Sequence, residues 1–192
     1  MPKTAGERHL RALEEVQTIE QSTKSSMSPN KLEDPTKIEV IDALGDCDIA
    51  HFACHGRADP TDPSLSCVLL QDWEQKPLNV RSLIQAKIPR CRLAFISACE
   101  SMQVKDWRLY DEGVHVAGGF LMAGVPNVIS TMWPVDGDAS NALALFFYEF
   151  LKDGNGTIDC GRSAVALHNA IDGLISSGMP PILWGAYTHS GI

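Results

Sequence analysis

Arg92-Leu-Ala-Phe-Ile-Ser-Ala98 is a near-continuous apolar run that ends at Cys99. Two further runs of the same kind lie at residues 48–54 and 127–132. Their hydrophobicity is continuous rather than alternating, which is typical of parallel strands covered on both faces by helices. Segments with the spacing of amphipathic helices separate the runs, so the sequence predicts an α/β fold with a mostly parallel sheet.

The expected helices follow from apolar residues spaced three and four apart. In the second helix, Asp34 is the expected N-cap, Pro35 lies in the first turn and Gly45 ends the helix. Asn79 is expected to begin the third helix. The predicted helices lie at residues 9–21, 34–44, 80–87, 113–124, 138–151 and 158–175, with further strands at 66–71 and 182–188.

Length and composition limit the possible classes of protein. A chain of 192 residues with 44% hydrophobic residues is long enough for one compact domain, so residues 1–192 are interpreted as a single domain. The net charge of −8 and the lack of a basic patch argue against nucleic-acid binding. No apolar segment approaches the length of a membrane span. The N-terminus lacks the apolar segment of a secretory signal.

The cysteines indicate a cellular compartment. Cys54, Cys91 and Cys99 lie in or beside apolar runs, where free thiols are common. A domain of this size also does not need disulfides for stability. We therefore expect free thiols and a reducing, cytoplasmic setting.

Chemically reactive side chains follow the ends of three predicted strands. In a parallel sheet the carboxyl ends of the strands form one edge, and ligands bind along it. A thiol, an imidazole and several carboxylates are therefore expected to converge. The three strand ends lead to His55-Gly56, to Cys99-Glu100 and to Trp133-Pro-Val-Asp136.

A thiol and an imidazole together suggest nucleophilic catalysis. A free thiol is mostly protonated near neutral pH, and an adjacent histidine can accept its proton and later protonate a leaving amine. We predict Cys99 as the nucleophile and His55 as its partner. The N–H groups of Gly56 and Cys99 are the candidate donors to the oxyanion. His55 precedes Cys99 by 44 residues, close to the roughly 50 of the caspase order.

The acidic and aromatic residues near this edge have two interpretations each. Asp136 and Asp138 precede a predicted helix and are suited to cap it. Alternatively, one of them joins Glu100 or Glu112 in an acidic substrate pocket for an arginine or lysine side chain. Trp133 either forms a wall of the substrate cleft or packs against the end of the sheet.

The remaining histidine of this region, His51, is interpreted as a hydrogen-bonded core residue, because it lies roughly 13 Å before His55 along an extended strand. Strand alternation puts His51 and Cys54 on opposite faces, and the sequence lacks a C-x-x-C pair. We therefore expect neither a metal site nor a cofactor.

Two motifs resemble the signatures of a known family. They are His51-Phe-Ala-Cys-His55-Gly56 and Phe95-Ile-Ser-Ala-Cys99-Glu100-Ser101, and they are similar to those of the CHAT family of caspase-like peptidases. Further matches follow in the same order as in that family. They are Asp111-Glu-Gly113, Gly119-Phe-Leu-Met-Ala-Gly124, Val128-Ile-Ser-Thr-Met-Trp133-Pro-Val-Asp136 and Trp184-Gly-Ala-Tyr-Thr-His189.

The resemblance implies a caspase–haemoglobinase-like sheet, a His–Cys dyad at His55 and Cys99, and hydrolysis of peptide bonds. Members of this family act in regulated proteolysis, including defence and cell-death signalling, and are often fused to tetratricopeptide repeats. The expected partners are therefore a protein or peptide substrate and regulatory repeat domains outside this chain.

The opening Met-Pro-Lys-Thr resembles residues that come just after the family's first strand. We therefore expect this chain to be a fragment or N-terminally truncated, and to lack that strand. A catalytically silent signalling or scaffold module with the same fold is the alternative function. A small-molecule hydrolase is disfavoured because the sequence has no nucleophile-elbow glycine pattern.

Overall fold

The computed structural model describes residues 12–59, 61–97 and 116–192. Two short 3-10 helices, Pro63–Leu65 and Cys160–Arg162, lie between its longer elements. In chain order, the described elements are α1 (Ala12–Thr23), α2 (Lys37–Asp46), β1 (Ile49–Phe52), β2 (Gly56–Arg57), β3 (Cys67–Val68), β4 (Leu78–Asn79), α3 (Val80–Ala86), β5 (Leu93–Ile96), α4 (Val116–Met122), β6 (Asn127–Thr131), α5 (Gly137–Phe150), α6 (Ser163–Ser176), α7 (Pro181–Trp184) and β7 (Tyr187–Gly191).

The larger sheet contains the three predicted apolar strands side by side. Its order is β1-β5-β6-β7, with β1, β5 and β6 parallel and β7 antiparallel to β6. Ile49 is the register partner of Leu93, and Phe52 is the partner of Ile96. The predicted α/β fold with a mostly parallel sheet is therefore confirmed.

Helices pack on both faces of this sheet. Successive strand residues point to opposite faces, so a continuous apolar strand provides an apolar surface on each face. Leu93 and Phe95 belong to one apolar cluster, which includes residues of α1, α5 and α6. Ala94 and Ile96 belong to a second cluster, which includes residues of α2, α3 and α4. Since each buried Leu, Ile or Phe contributes about 1.5–3 kcal/mol, the continuous apolar strands stabilise both layers at once.

A second, smaller sheet was only partly predicted. Strands β2, β3 and β4 are antiparallel in that order. The predicted strand at 66–71 is found only as β3, and β2 and β4 were missed. Each of these strands has two residues, which is too short for an alternating pattern to be recognised in the sequence.

The predicted start and end of α2 were wrong. Thr36, rather than Asp34, is the N-cap: its side chain accepts from the Glu39 N–H, and the Glu39 carboxylate accepts from the Thr36 N–H. This reciprocal capping box satisfies two backbone donors, which a single aspartate cannot do. Gly45 lies inside the last turn, and the helix ends at Asp46.

The C-terminal prediction also needs correction. Residues 182–188 were expected to form a strand, but Pro181–Trp184 forms a helical turn and the strand is Tyr187–Gly191. Proline favours the first turn of a helix because its φ is already helical and it has no N–H to satisfy. Similarly, the helix predicted from residue 158 begins at Ser163, after the 3-10 turn that Asp159 caps.

Three predictions about the fold lie wholly or partly outside the described residues. These concern the strand expected to be missing at the N-terminus, the first residues of the helix predicted at 9–21 and the first residues of the helix predicted at 113–124. Within the part of the chain that the structure describes, none of the helices combines the length and apolarity that a membrane crossing requires.

Candidate active site

The carboxyl ends of β1 and β5 lie side by side, and we call this region the carboxyl edge. The Ser97 N–H donates to the Phe52 carbonyl at 3.0 Å, so the pairing of the two strands continues one residue past β5. Phe52 and Ser97 are therefore neighbours at this edge. His55 follows three residues after Phe52, and Cys99 follows two residues after Ser97.

The small sheet positions the backbone of His55. The His55 carbonyl accepts from the Leu69 N–H at 2.8 Å, and β2 begins at the next residue, Gly56. The His55 side chain is buried, with a relative exposure of 1% for the residue. Consequently, the segment that leaves β1 is hydrogen-bonded at His55 to the residue that follows β3.

The same hydrogen bond determines where the Gly56 N–H points. In an antiparallel pair, hydrogen-bonded and non-hydrogen-bonded residue pairs alternate. Because Leu69 N–H bonds to His55, the neighbouring pair of Gly56 and Val68 is a non-hydrogen-bonded one. The Gly56 N–H therefore faces away from β3. A backbone N–H that donates to a bound group must likewise not be used in strand pairing.

Cys99 and Glu100 lie outside the described residues, as does Glu112. The last described residue before them is Ser97, whose hydroxyl lies 2.7 Å from the hydroxyl of Ser140, and both are buried. Ser140 is in the first turn of α5, where its N–H donates to the Asp136 carbonyl at 2.9 Å. The end of β5 is therefore in direct contact with the start of α5.

Asp136 is the N-cap of α5. Its carboxylate oxygen Oδ1 accepts from the Asp138 N–H at 2.9 Å, which satisfies one of the unpaired donors of the first turn. Both aspartates are exposed. Their negative charges also interact favourably with the positive, N-terminal end of the α5 helix dipole. The structure thus places two acidic residues on the helix whose first turn contacts the carboxyl edge.

Trp133 lies two residues past β6 and is half-buried. Its indole N–H donates to the Ile182 carbonyl at 2.8 Å. The ring packs against the apolar cluster shared with α5 and α6. The indole N–H of Trp133 therefore connects α7 to the segment that follows β6.

His51 is hydrogen-bonded on both sides, which confirms its interpretation as a structural residue. Its Nε2 lies 2.9 Å from the Glu15 carboxylate, and its Nδ1 lies 3.1 Å from the Tyr148 hydroxyl. The ring stacks on Phe95 with a centroid distance of 4.7 Å. Burial, followed by the nearby Glu15 charge, raises the pKa of Tyr148. Sequence reasoning missed Glu15 and Tyr148, because no motif connects such distant positions.

Metal binding receives no support from the described side chains. Within residues 12–59, 61–97 and 116–192, no group of three or more histidine, cysteine, aspartate or glutamate residues is arranged to hold a metal ion.

These observations define an α/β protein with a candidate site at the carboxyl edge of a mostly parallel sheet. The model of the CHAT domain matches residues 2–192. This match spans almost the whole sequence, and the chain therefore belongs to the CHAT-domain family. The resemblance seen in the motifs is confirmed. CHAT domains are associated with caspase-like cysteine peptidases. No curated protein matches the sequence.

Proposed function

We propose that this protein is a cysteine endopeptidase in which Cys99 is the nucleophile and His55 transfers the proton. The observation that supports this most directly is that His55 is buried and lies three residues past β1, the strand that pairs with the one leading to Cys99. Membership of a family associated with caspase-like peptidases supports the same chemistry.

The pairing of β1 with β5 supports the proposed dyad, because the segments that lead to His55 and to Cys99 follow neighbouring strands. Because Ser97 is hydrogen-bonded to Phe52, both segments leave the sheet from adjacent positions. Two residues of chain span at most about 7 Å, so chain connectivity keeps Cys99 within that reach of Ser97. This adjacency of the two segments supports the proposed dyad.

The proposed reaction begins with transfer of the Cys99 proton to the His55 imidazole. The thiolate attacks the peptide carbonyl carbon, and the carbonyl oxygen becomes an oxyanion. The imidazolium then protonates the leaving amine, and water hydrolyses the acyl-enzyme with histidine acting as base. The Gly56 N–H, which faces away from β3, and the Cys99 N–H are the proposed donors to the oxyanion.

The proposed substrate pocket is acidic and accepts an arginine or lysine at the cleaved position. Asp136 and Asp138 lie on the first turn of α5, which contacts the end of β5 through Ser140. Glu100 and Trp133 complete the proposed set. A carboxylate near the cleft would bind a basic side chain through charge-assisted hydrogen bonds. Regulatory repeat domains outside this chain are proposed as partners.

A peptidyl acyloxymethyl ketone tests the nucleophile. After incubation at neutral pH, peptide mapping by mass spectrometry should find the adduct on Cys99 alone. The rate of labelling should fall by about 10²-fold or more in His55→Ala, because general-base assistance contributes 10²–10⁴-fold.

The matched control is His168→Ala, because His168 is a largely exposed histidine on α6. This variant should be labelled as fast as the wild type. The proposal would be contradicted if the reagent modified cysteines according to their solvent exposure alone, with the half-exposed Cys47 among the modified residues. An unchanged rate in His55→Ala would contradict it as well, and would favour the scaffold alternative.

A further inference from the structure

A second pair of chemically reactive groups lies at the opposite ends of the same two strands. Cys47 is the C-cap of α2 and comes two residues before β1, and Cys91 comes two residues before β5. Ile49 is the register partner of Leu93, so extending this register by two residues sets Cys47 opposite Cys91. Both lie at the amino ends of the strands, away from the carboxyl edge.

The two chains remain paired at this point. The Arg92 N–H donates to the Asp48 carbonyl at 2.8 Å, between the strands and the two cysteines. Cys47 also has an extended backbone, with φ −93° and ψ 154°. Register partners on parallel strands point to the same face, and neighbouring strands are about 4.8 Å apart. This separation lies within the roughly 4.4–6.8 Å range of Cα distances in disulfides.

The two side chains also influence each other. Both cysteines are free thiols, and each one shifts the pKa of the other, in opposite directions. The Cys91 thiol also lies 3.4 Å from the Leu93 carbonyl. The strand register therefore sets the two cysteines side by side in the reduced protein, so a disulfide between them would require little backbone movement.

We propose that Cys47 and Cys91 form a redox-responsive dithiol, which a hydroperoxide oxidises to a disulfide. Such a site lies outside the proposed peptidase dyad and does not depend on it. The disulfide would join the end of α2 to the start of β5.

The two thiols differ in a way that assigns their roles. Cys47 is half-buried, and interaction with the neighbouring Cys91 thiol lowers the pKa of its own thiol, with a smaller contribution from the Arg90 guanidinium. Cys91 has a relative exposure of 1%, and the pairing with Cys47, followed by burial, raises its pKa. Reaction with peroxide requires an accessible thiolate. Cys47 is therefore the attacking residue and Cys91 the resolving one.

The oxidation takes place in two balanced steps. First, the Cys47 thiolate attacks one oxygen of hydrogen peroxide, the O–O bond breaks, and a sulfenic acid and hydroxide form; the hydroxide takes a proton to become water. Second, the Cys91 sulfur attacks the sulfenic sulfur, the S–S bond forms, the S–O bond breaks, and a second water leaves with the Cys91 proton. Two electrons pass from the thiols to the peroxide.

Differential alkylation of the full chain tests this proposal. The reduced protein is treated with hydrogen peroxide, free thiols are blocked with iodoacetamide, and the digest is mapped without reduction. We expect a cross-linked pair of peptides containing Cys47 and Cys91, lighter than the two free peptides by two hydrogen atoms. The same product should form in Cys99→Ala, which separates this site from the proposed nucleophile.

Three variants give the mechanism a further test. Cys91→Ser should stop at the sulfenic acid, which dimedone captures on Cys47. Cys47→Ser should give neither product. Cys160→Ser is the matched control, since Cys160 is also buried and should leave the cross-link unchanged. The proposal is overturned if the peroxide-treated wild type shows Cys47 only in singly modified, uncrosslinked peptides, or if dimedone labels Cys47 equally in wild type and Cys91→Ser.

Discussion

His51 shows how a single partly buried residue joins three elements. Its two ring nitrogens contact Glu15 of α1 and Tyr148 of α5, and the residue itself belongs to β1. All three side chains are largely removed from water, and in such surroundings a polar group without a partner is costly. The hydrogen bonds therefore position α1 and α5 relative to the strand that leads to His55.

Tyr148→Phe tests this network. The substitution keeps the ring but removes the hydroxyl, so His51 Nδ1 loses its partner at 3.1 Å. We expect the free energy of unfolding to fall by about 1–3 kcal/mol, measured by denaturant titration at neutral pH. Thr18→Val is the control, since it deletes an exposed hydroxyl hydrogen bond and should change stability by less than about 0.5 kcal/mol. Equal losses in the two variants would count against the network.

At the scale of elements, the start of α5 has both a structural and a proposed functional role. Asp136 caps the helix, and the first turn contacts the end of β5 through the hydroxyls of Ser140 and Ser97. The capping role depends on a side-chain oxygen, whereas the proposed binding of a basic substrate depends on charge. Asparagine keeps the oxygen and removes the charge, so the two roles can be separated.

We expect Asp136→Asn to leave stability nearly unchanged, and Asp136→Ala to lose about 0.5–2 kcal/mol. In Asp136→Asn, kcat/KM for peptides cleaved after arginine should fall about 3- to 10-fold relative to those cleaved after leucine. Thermal unfolding and a paired set of fluorogenic peptides provide the two measurements. If Asp136→Asn cleaves both peptides at the wild-type ratio, this residue is only a cap.

The elements also show what the sequence can and cannot predict. Strands β1, β5 and β6 were predicted because each is a buried run with a strong apolar signal. The two-residue strands β2 and β4 have no such signal, although β2 contains Gly56 and directly follows His55. The contact between Ser97 and Ser140 joins residues 43 positions apart. Neither serine belongs to a local pattern that distinguishes it from other buried serines.

At the scale of the whole molecule, buried thiol and tyrosine hydroxyl groups make the stability of the fold depend on pH in the alkaline range. Burial is the main cause that raises the pKa of Cys67 and Cys160, and of Tyr148 on α5. Each group is neutral when protonated, and its folded-state pKa is above its unfolded value. Its contribution to stability is therefore complete below the unfolded pKa, and it decreases as the pH rises from there towards the folded pKa.

We expect the free energy of unfolding, measured with reductant present, to decline above about pH 8.5, where unfolded thiols begin to ionise. Cys67→Ala should decline less steeply, because that variant has one buried thiol fewer. Ser177→Ala, which removes an exposed hydroxyl, is the control and should follow the wild-type slope. This expectation would be contradicted if the free energy of unfolding of the wild type and of Cys67→Ala declined in parallel between pH 8 and pH 10.

The hydrogen bond between Ser97 and Ser140 affects how this protein changes under selection. A substitution that shifts the first turn of α5 should also shift Ser97, two residues before Cys99, because residues in contact are energetically coupled. Under the proposed function, mutations at positions 136–138 that alter substrate preference would also alter reactivity. A directed-evolution library for new specificity should therefore start from an exposed neighbour such as Met132, where amino-acid changes are better tolerated.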